Sequence, residues 1–355
     1  MDRATVAVYE ERGEEWAAGV GPVRSEEATR FAATVAAGGV RLDVGCGTGR
    51  YLSDLGAPAV GIDAAWRMLR AARRAQADAV LVRGDLEALP FGRGRIAGAW
   101  ANMSYQHIER TALPAALAEL HRVLVVGAPV DVQVLGGDYE GHELPGDRVP
   151  GRFFAGWHPE ALVDVCTGAG LEVGRAESVE DVVRVSARRA RTLADVVGPH
   201  MRLLVVGLNP SIYSADAGVG FARPGNRFWP AALAAGLATR DRDPWHALRF
   251  HGMGMTDLVK RATVGAAELR PDEYRRGLAR VERLVRWLAP RAVCMVGLTG
   301  WRVAFDARAI AGEQTHRIGG RPVYLMPNTS GANAHATAAS LSDHLRAAAA
   351  LADRA

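Results

Sequence analysis

The chain has 355 residues, 49% apolar and 23% charged, with 43 Lys and Arg against 39 Asp and Glu for a formal net charge of +4. At about 150 residues per domain the length implies two or three domains, and the composition excludes a disordered, collagen-like or coiled-coil chain and leaves no room for a membrane span. The charge is divided: residues 1–189 hold 21 Arg against 26 acids, net −5, whereas residues 190–355 hold 21 Arg and Lys260 against 13 acids, net +9. A basic half suits a chain that touches phosphate backbones, so the two halves are expected to have different partners.

Cys46, Cys166 and Cys294 lie far apart with no CxxC or Cys/His spacing, so neither a zinc site nor a disulfide framework is expected, and no motif requires a metal. Met1 to Val20 is acidic and lacks an apolar core segment; no signal peptide is read there, and a cytoplasmic setting with no membrane partner is the expectation.

In chain order, a helical pattern over Ser25–Ala37 leads to the apolar run Val40–Val44 and then to Gly45-Cys46-Gly47-Thr48-Gly49, a strand running into glycines. Strand-like runs recur at Ala59–Ile62, Ala79–Val82, Ile96–Ala101, Val130–Leu135 and Val182–Ser186, with helical segments at Ala65–Gln76 and Pro114–Val123. This alternation predicts a doubly wound parallel sheet. A second set opens with Arg202–Val206, runs into Gly207, and continues with strands near Ala292–Val296 and Pro322–Leu325 and helices at Asn226–Ala238, Pro271–Leu288 and Ala338–Ala352. A boundary near Arg189 divides the chain into two abutting α/β domains, 1–189 and 190–355.

In the first half, glycines at 45, 47 and 49 after a strand let the backbone turn tightly and a ligand approach closely. Asp63 ends the second strand, where a carboxylate can accept both hydroxyls of a ribose, and Asp85 ends the third, within reach of an adenine amino group. The ordered motifs DVGCGTG, GIDAAWRML, RGDLEALPF and AELHRVL resemble class I S-adenosylmethionine-dependent methyltransferases over about residues 30–189. The resemblance implies a Rossmann-like fold binding S-adenosylmethionine, with Asp43, Gly45, Gly47 and Gly49 at the methionine moiety, Asp63 at the ribose and Asp85 with Leu86 at the adenine. Two places depart from the family: Ile96–Trp100 carries no acid after the fourth strand, and Val126-Gly127-Ala128 stands where Pro-Gly-Gly is usual. Asn102, Tyr105 and His107 are candidates for the acceptor side, and nothing in the sequence names the methyl acceptor.

In the second half, Gly207-Leu208-Asn209-Pro210-Ser211 is a glycine turn without the GxxxxGK of a phosphate loop. The order GLNPS, GVGFARPGNRFW, MTDLVKRAT and MPNTSG resembles the mismatch-specific uracil/thymine DNA glycosylases, family 2 of the uracil-DNA glycosylase superfamily, from about Thr192 to the C-terminus. That likeness implies a three-layer α/β/α fold with a parallel sheet and a monofunctional hydrolase of base excision repair, needing no cofactor, that takes a damaged or mismatched base out of the DNA stack.

Phe221 is expected to stack on the flipped ring. Asn209 is expected to orient the attacking water, since a carboxamide is no general base. Gly207, Leu208, Ser211 and Asn328 complete the expected base site. Ser330, Gly331, Ala332 and Asn333, with Arg227 and Lys260, form the expected DNA contacts, Ala332 at the intercalating position; Arg261 could also bind a phosphate. Two other readings stay open: a methyltransferase whose glycosylase-like half only delivers a nucleic-acid or nucleoside substrate, and an inactive binder of damaged DNA.

Overall fold

In the first half, hydrophobic strands alternate with amphipathic helices in the order that builds an open α/β sheet. The computed structural model describes residues 1–19, 24–331, 333 and 336–355. It divides into two units, residues 1–167 with 171–190 and residues 168–170 with 191–355.

The first unit contains α1 (Arg3–Gly19), α2 (Ser25–Ala33), β1 (Arg41–Val44), α3 (Leu52–Leu55), β2 (Ala59–Asp63), α4 (Trp66–Ala75), β3 (Val80–Arg83), β4 (Gly98–Asn102), α5 (Leu113–Val123), β5 (Pro129–Leu135), β6 (Glu140–Gly141), β7 (Phe154–Ala155), α6 (Pro159–Gly168), β8 (Leu171–Val179) and β9 (Val182–Arg189). Its seven-stranded sheet has the order β3-β2-β1-β4-β5-β9-β8. The first four pairings are parallel, but β9 runs antiparallel to both β5 and β8. The expected doubly wound sheet is present with one antiparallel strand, β9, near its edge, and the connection explains the β8–β9 pairing. Only Glu180, at φ 52°, and Asp181 separate β8 from β9, and a two-residue loop can join antiparallel strands alone.

The second unit contains β10 (Leu203–Gly207), α7 (Ile212–Ala217), α8 (Phe228–Ala234), α9 (Pro244–His251), β11 (Met253–Asp257), α10 (Pro271–Leu288), β12 (Ala292–Val296), α11 (Leu298–Ala304), β13 (Gly312–Ile318), β14 (Arg321–Met326) and α12 (Ala338–Arg354). The strand order is β11-β10-β12-β14-β13, all parallel except the edge strand β13. Alternate residues of each strand face opposite layers. Leu203 and Val205 join Phe228, Ala247 and Leu345 on one face, while Leu204 and Val206 join Val281, Val285 and Trp301 on the other. Burial on both faces is why β10 and β12 read as unbroken apolar runs. Caps set the helix ends. Asp243 accepts the His246 N–H at 2.9 Å to start α9, Gly252 ends it at φ 64°, and the helix expected over Asn226–Ala238 is cut to α8 by the Gly236 turn at φ 73°. No helix among the described residues is long and apolar enough to cross a membrane.

Candidate functional sites

In the first unit, β1 runs into a loop in which Gly45, Gly47 and Gly49 stand at φ 70°, 55° and 76°, the left-handed region that favours glycine. At Gly45 the demand is also steric, since a Cβ there would lie 2.4 Å from that of Ser104. Asp63, closing β2, accepts the Gly47 N–H through Oδ2 and the Ala65 N–H through Oδ1, each at 2.9 Å, and so ties the loop to the start of α4. Burial outweighs these donors and raises the Asp63 carboxyl to about 6. Asp43 is pushed further, to about 8, by burial and then by the charge of Asp63. Its Oδ2 is buried without a partner, an unusual state for a carboxylate.

Asp43, Gly45, Gly47, Asp63 and Leu86 line one wall of a cavity of about 610 Å³. Gly49 lies behind the loop, where a Cβ would meet Ala72 at 3.0 Å. Asp85 departs from expectation and does not line the cavity: its carboxylate accepts from the Met1 terminal amine at 3.2 Å and from the Glu87 N–H at 3.0 Å. The chain turns just after β3, bridging Asp85 to Ala88, which leaves the carboxylate on the outside of the turn and buries Leu86.

The acceptor-side candidates separate. Asn102 lines the cavity, accepting from the Tyr51 hydroxyl at 3.2 Å and donating to Gln133 Oε1 at 2.8 Å. His107 also lines it, whereas Tyr105 is a fully buried packing residue. Tyr9 and Trp16 of α1, and Arg152, line the cavity too and were missed in the sequence. The segment of Tyr9 and Trp16 reads only as an acidic terminus, and α1 breaks helical geometry between them at Arg12 (φ −117°, ψ 15°), which no periodicity announces.

Asp43 has a consequence for stability. Its folded pKa, about 8, stands above the ordinary 3.8, so between these values the native state holds a proton that the unfolded chain releases. The contribution of this group to stability therefore falls as pH rises through that window. Asp43→Asn is expected to flatten the fall in the thermal midpoint of ligand-free protein across the same window; an unchanged slope would contradict the buried, proton-holding carboxyl.

In the second unit, the glycine turn is sewn to the segment after β11 by Leu258 N–H to Gly207 O at 2.8 Å and Val259 N–H to Leu208 O at 2.9 Å. Asn209 is clamped by its amide nitrogen, which donates to Arg261 O at 3.0 Å and Thr263 Oγ1 at 2.8 Å. Its Oδ1 takes no hydrogen bond from the described residues and stays available to a water. Gly207 is in register with Asp257 at the end of β11. A Cβ on Gly207 would stand 2.5 Å from Asp257 Oδ1 and 3.3 Å from the Phe221 ring, so only glycine admits both neighbours. Burial raises the Asp257 carboxyl to about 6, with Asp195 adding to the rise and Lys260 and Arg280 opposing it. Phe221 and Asp257 border a depression of about 30 Å³, room for a water rather than a base. Phe221 stands at φ 56°, in the left-handed region, and stacks on Phe228 with ring centres 4.2 Å apart. One ring face is therefore spent inside the protein.

Several expected site residues have structural work instead. Leu208 packs its side chain into the core beside Gly300, because the turn directs it under the sheet end. Ser211 caps α7 by accepting the Ser214 N–H at 3.1 Å. Lys260 donates to Asp195 Oδ1 at 2.7 Å, which satisfies its charge below the surface. Arg227 is spent on the carbonyl oxygens of Ser330 (2.8 Å), Asn333 (2.7 Å) and Ala336, bracing the loop rather than facing a phosphate. Arg261 is paired with Glu273 at 2.7 Å.

In that loop, Asn328 Oδ1 accepts the Ser330 N–H at 2.9 Å, and Asn333 donates to the Asn328 carbonyl at 2.8 Å. Gly331 approaches the Gly225 carbonyl so closely that a Cβ would lie 3.0 Å away. Ala332 and His335 lie outside the described residues. The sequence reading also missed Asp257 and Thr263; both sit in the MTDLVKRAT segment already singled out.

A family model for a methyltransferase domain matches residues 42–127, and one for the uracil DNA glycosylase superfamily matches residues 194–352. The chain joins a methyltransferase domain to a uracil DNA glycosylase superfamily domain. Among solved structures, similar chains include an S-adenosylmethionine-dependent methyltransferase from Methanosarcina mazei, 15% identical over 45% of this chain and 97% of that one with a TM-score of 0.41. The CcbJ methyltransferase from Streptomyces caelestis is 22% identical over 54% and 100% with a TM-score of 0.44. A third, from Mesorhizobium loti, is 18% identical over 46% and 98% with a TM-score of 0.39. In the glycosylase-superfamily domain, Asn209, Asp257 and the MPNTSG loop all lie at the carboxyl ends of parallel strands, where open α/β sheets bind their ligands.

Proposed function

We propose that the glycosylase-superfamily domain is a monofunctional family 2 enzyme that excises uracil and related deaminated bases from DNA, in cytoplasmic base excision repair. The observation that carries this reading is that the clamped Asn209 carboxamide and the Asp257 carboxylate stand at the carboxyl ends of the paired parallel strands β10 and β11, where Gly207 is in register with Asp257. Asn209 Oδ1 accepts a hydrogen bond from the attacking water and orients it; Asp257, ionised above about pH 6, takes the proton the water loses. The water oxygen bonds to the sugar carbon as the N-glycosidic bond breaks, and the electron pair leaves with the base. Asp257 supplies from the neighbouring strand the carboxylate that the GLNPS turn lacks. A flipped base can use only the outer face or edge of Phe221. The test is release of uracil from a uracil:guanine duplex, where Asn209→Ala should slow single turnover by about 10²-fold. Equal rates for parent and variant would remove Asn209 from the chemistry.

The methyltransferase domain is proposed to bind S-adenosylmethionine. The unpartnered Asp43 Oδ2 inside a cavity bordered by a glycine loop suits a ligand that brings positive charge. When bound, that cofactor supplies an electrophilic methyl group. Asp43 would face its cationic end, the Gly45–Gly47 backbone would allow close approach, Asp63 would hold the ribose hydroxyls and Leu86 would pack on the adenine.

A further inference from the structure

The cavity wall formed by α1, by residues 105–107 after β4 and by the segment before β7 carries one chain of hydrogen bonds. Arg152 donates to Tyr9 Oη at 2.8 Å, Tyr9 Oη lies 3.0 Å from His107 Nε2, and His107 Nδ1 lies 2.6 Å from the Phe153 carbonyl oxygen. The direction of every link follows from what each atom can do. A carbonyl oxygen only accepts, so the imidazole proton sits on Nδ1. The ring is neutral, burial having pushed its pKa down to about 4, so Nε2 is an acceptor. The Tyr9 hydrogen therefore points at Nε2. A guanidinium only donates, so Arg152 occupies one lone pair of the Tyr9 oxygen. One lone pair is left, and the oxygen has no proton to offer the cavity.

The surroundings limit the ligand further. Arg152 is balanced by a hydrogen-bonded ion pair with Asp147, and Tyr9 is held protonated, pushed up to about 12 by burial. The hydrogen-bonded chain itself thus has no net charge to set against an ion, Asp147 cancelling Arg152 while Tyr9 and His107 are neutral. Trp16 meets the Tyr9 ring edge-on at 5.6 Å, and the Phe154 ring lies 4.9 Å from that of His107. Such rings favour a flat aromatic guest.

We infer that Tyr9 determines the specificity of an acceptor subsite in this cavity, which takes a neutral aromatic molecule presenting a hydroxyl or amino hydrogen, and discriminates against one presenting only a carbonyl, an ether or a tertiary amine. This rests on the reading of the cavity as one shared by cofactor and methyl acceptor. It goes further in naming the polarity of the contact and the class of acceptor.

The test uses the full chain saturated with S-adenosylhomocysteine. Nitrogen-15 NMR, with His107 assigned by comparison with His107→Gln, should find Nδ1 protonated and Nε2 bare at neutral pH. Phenol should then bind about 3- to 10-fold more tightly than its methyl ether, anisole, as one hydrogen bond is worth. Tyr9→Phe should erase that preference, with calorimetry of S-adenosylhomocysteine binding reporting whether the variant is folded. A proton on Nε2, phenol binding no better than anisole, or a preference that survives Tyr9→Phe would each overturn the inference. Failure of the parent to bind S-adenosylhomocysteine would instead count against the cofactor reading, while the tautomer would still decide the orientation of the Tyr9 hydroxyl.

Discussion

Asp257→Asn is expected to lower the single-turnover rate of uracil release by about 10²- to 10⁴-fold, the usual contribution of a positioned general base. The substitution keeps the shape of the side chain and removes only its ability to take a proton. In the parent, the rate should rise with pH through about 6, where the buried carboxyl ionises, and level off above. The variant should lose that rise. Below the variant is a polar foundation that the substitution leaves intact: Asp195 accepts from Thr256 at 2.6 Å, from Lys260 at 2.7 Å and from Arg280 at 2.8 Å. Burial alone would raise the Asp195 carboxyl, but Arg280 and Lys260 more than reverse this and hold it below its ordinary value. A pH–rate profile of both proteins on a uracil:guanine duplex is the measurement. A parent profile that is flat across pH 6 would show that Asp257 does not take the proton.

Asp63→Ala is expected to weaken S-adenosylhomocysteine binding by about 10- to 150-fold. The carboxylate holds two backbone N–H groups, and hydrogen bonds to a charged group are worth roughly 1.5–3 kcal/mol each. Losing it frees the Gly47 end of the loop from the start of α4, so the effect reaches the ligand both directly and through the backbone. Asp63→Asn keeps one acceptor oxygen and should fall between parent and Ala when the three are compared by calorimetry. Equal affinities in all three would take Asp63 out of the cofactor site.

How far these sites could be read from the sequence depended on the kind of signal. Leu203–Gly207 is apolar because both faces of its sheet are covered, and it ends in glycine; Arg41–Val44 keeps only Leu42 and Val44 apolar but runs straight into Gly45, so in both places strand and turn announce themselves together. Met253–Asp257 did not, since Met-Gly-Met-Thr-Asp lacks the β-branched run of a typical strand. Yet this strand carries the Asp257 carboxylate proposed to act with Asn209. The polar edge strand Gly312–Ile318 was missed for a related reason, because one partner strand and exposure to water leave little apolar pattern. Charges were the least legible feature. Arg227, Lys260 and Arg261 all looked available to phosphates, and each is committed to a partner that only the folded chain brings near: a loop carbonyl, Asp195 or Glu273. The excess of +9 in residues 190–355 still describes the half as a whole, but it did not identify which arginines face outward.

The central claim, that Asn209 and Asp257 hydrolyse an N-glycosidic bond, is tested most directly by incubating a uracil:guanine duplex with the purified chain and with Asn209→Ala/Asp257→Asn, then measuring free uracil and abasic sites together. The parent should release both in equal amounts and the double variant should release neither at a comparable rate while still binding the duplex. A parent that binds the duplex and leaves the uracil in place, or a double variant that cuts as fast as the parent, would contradict it.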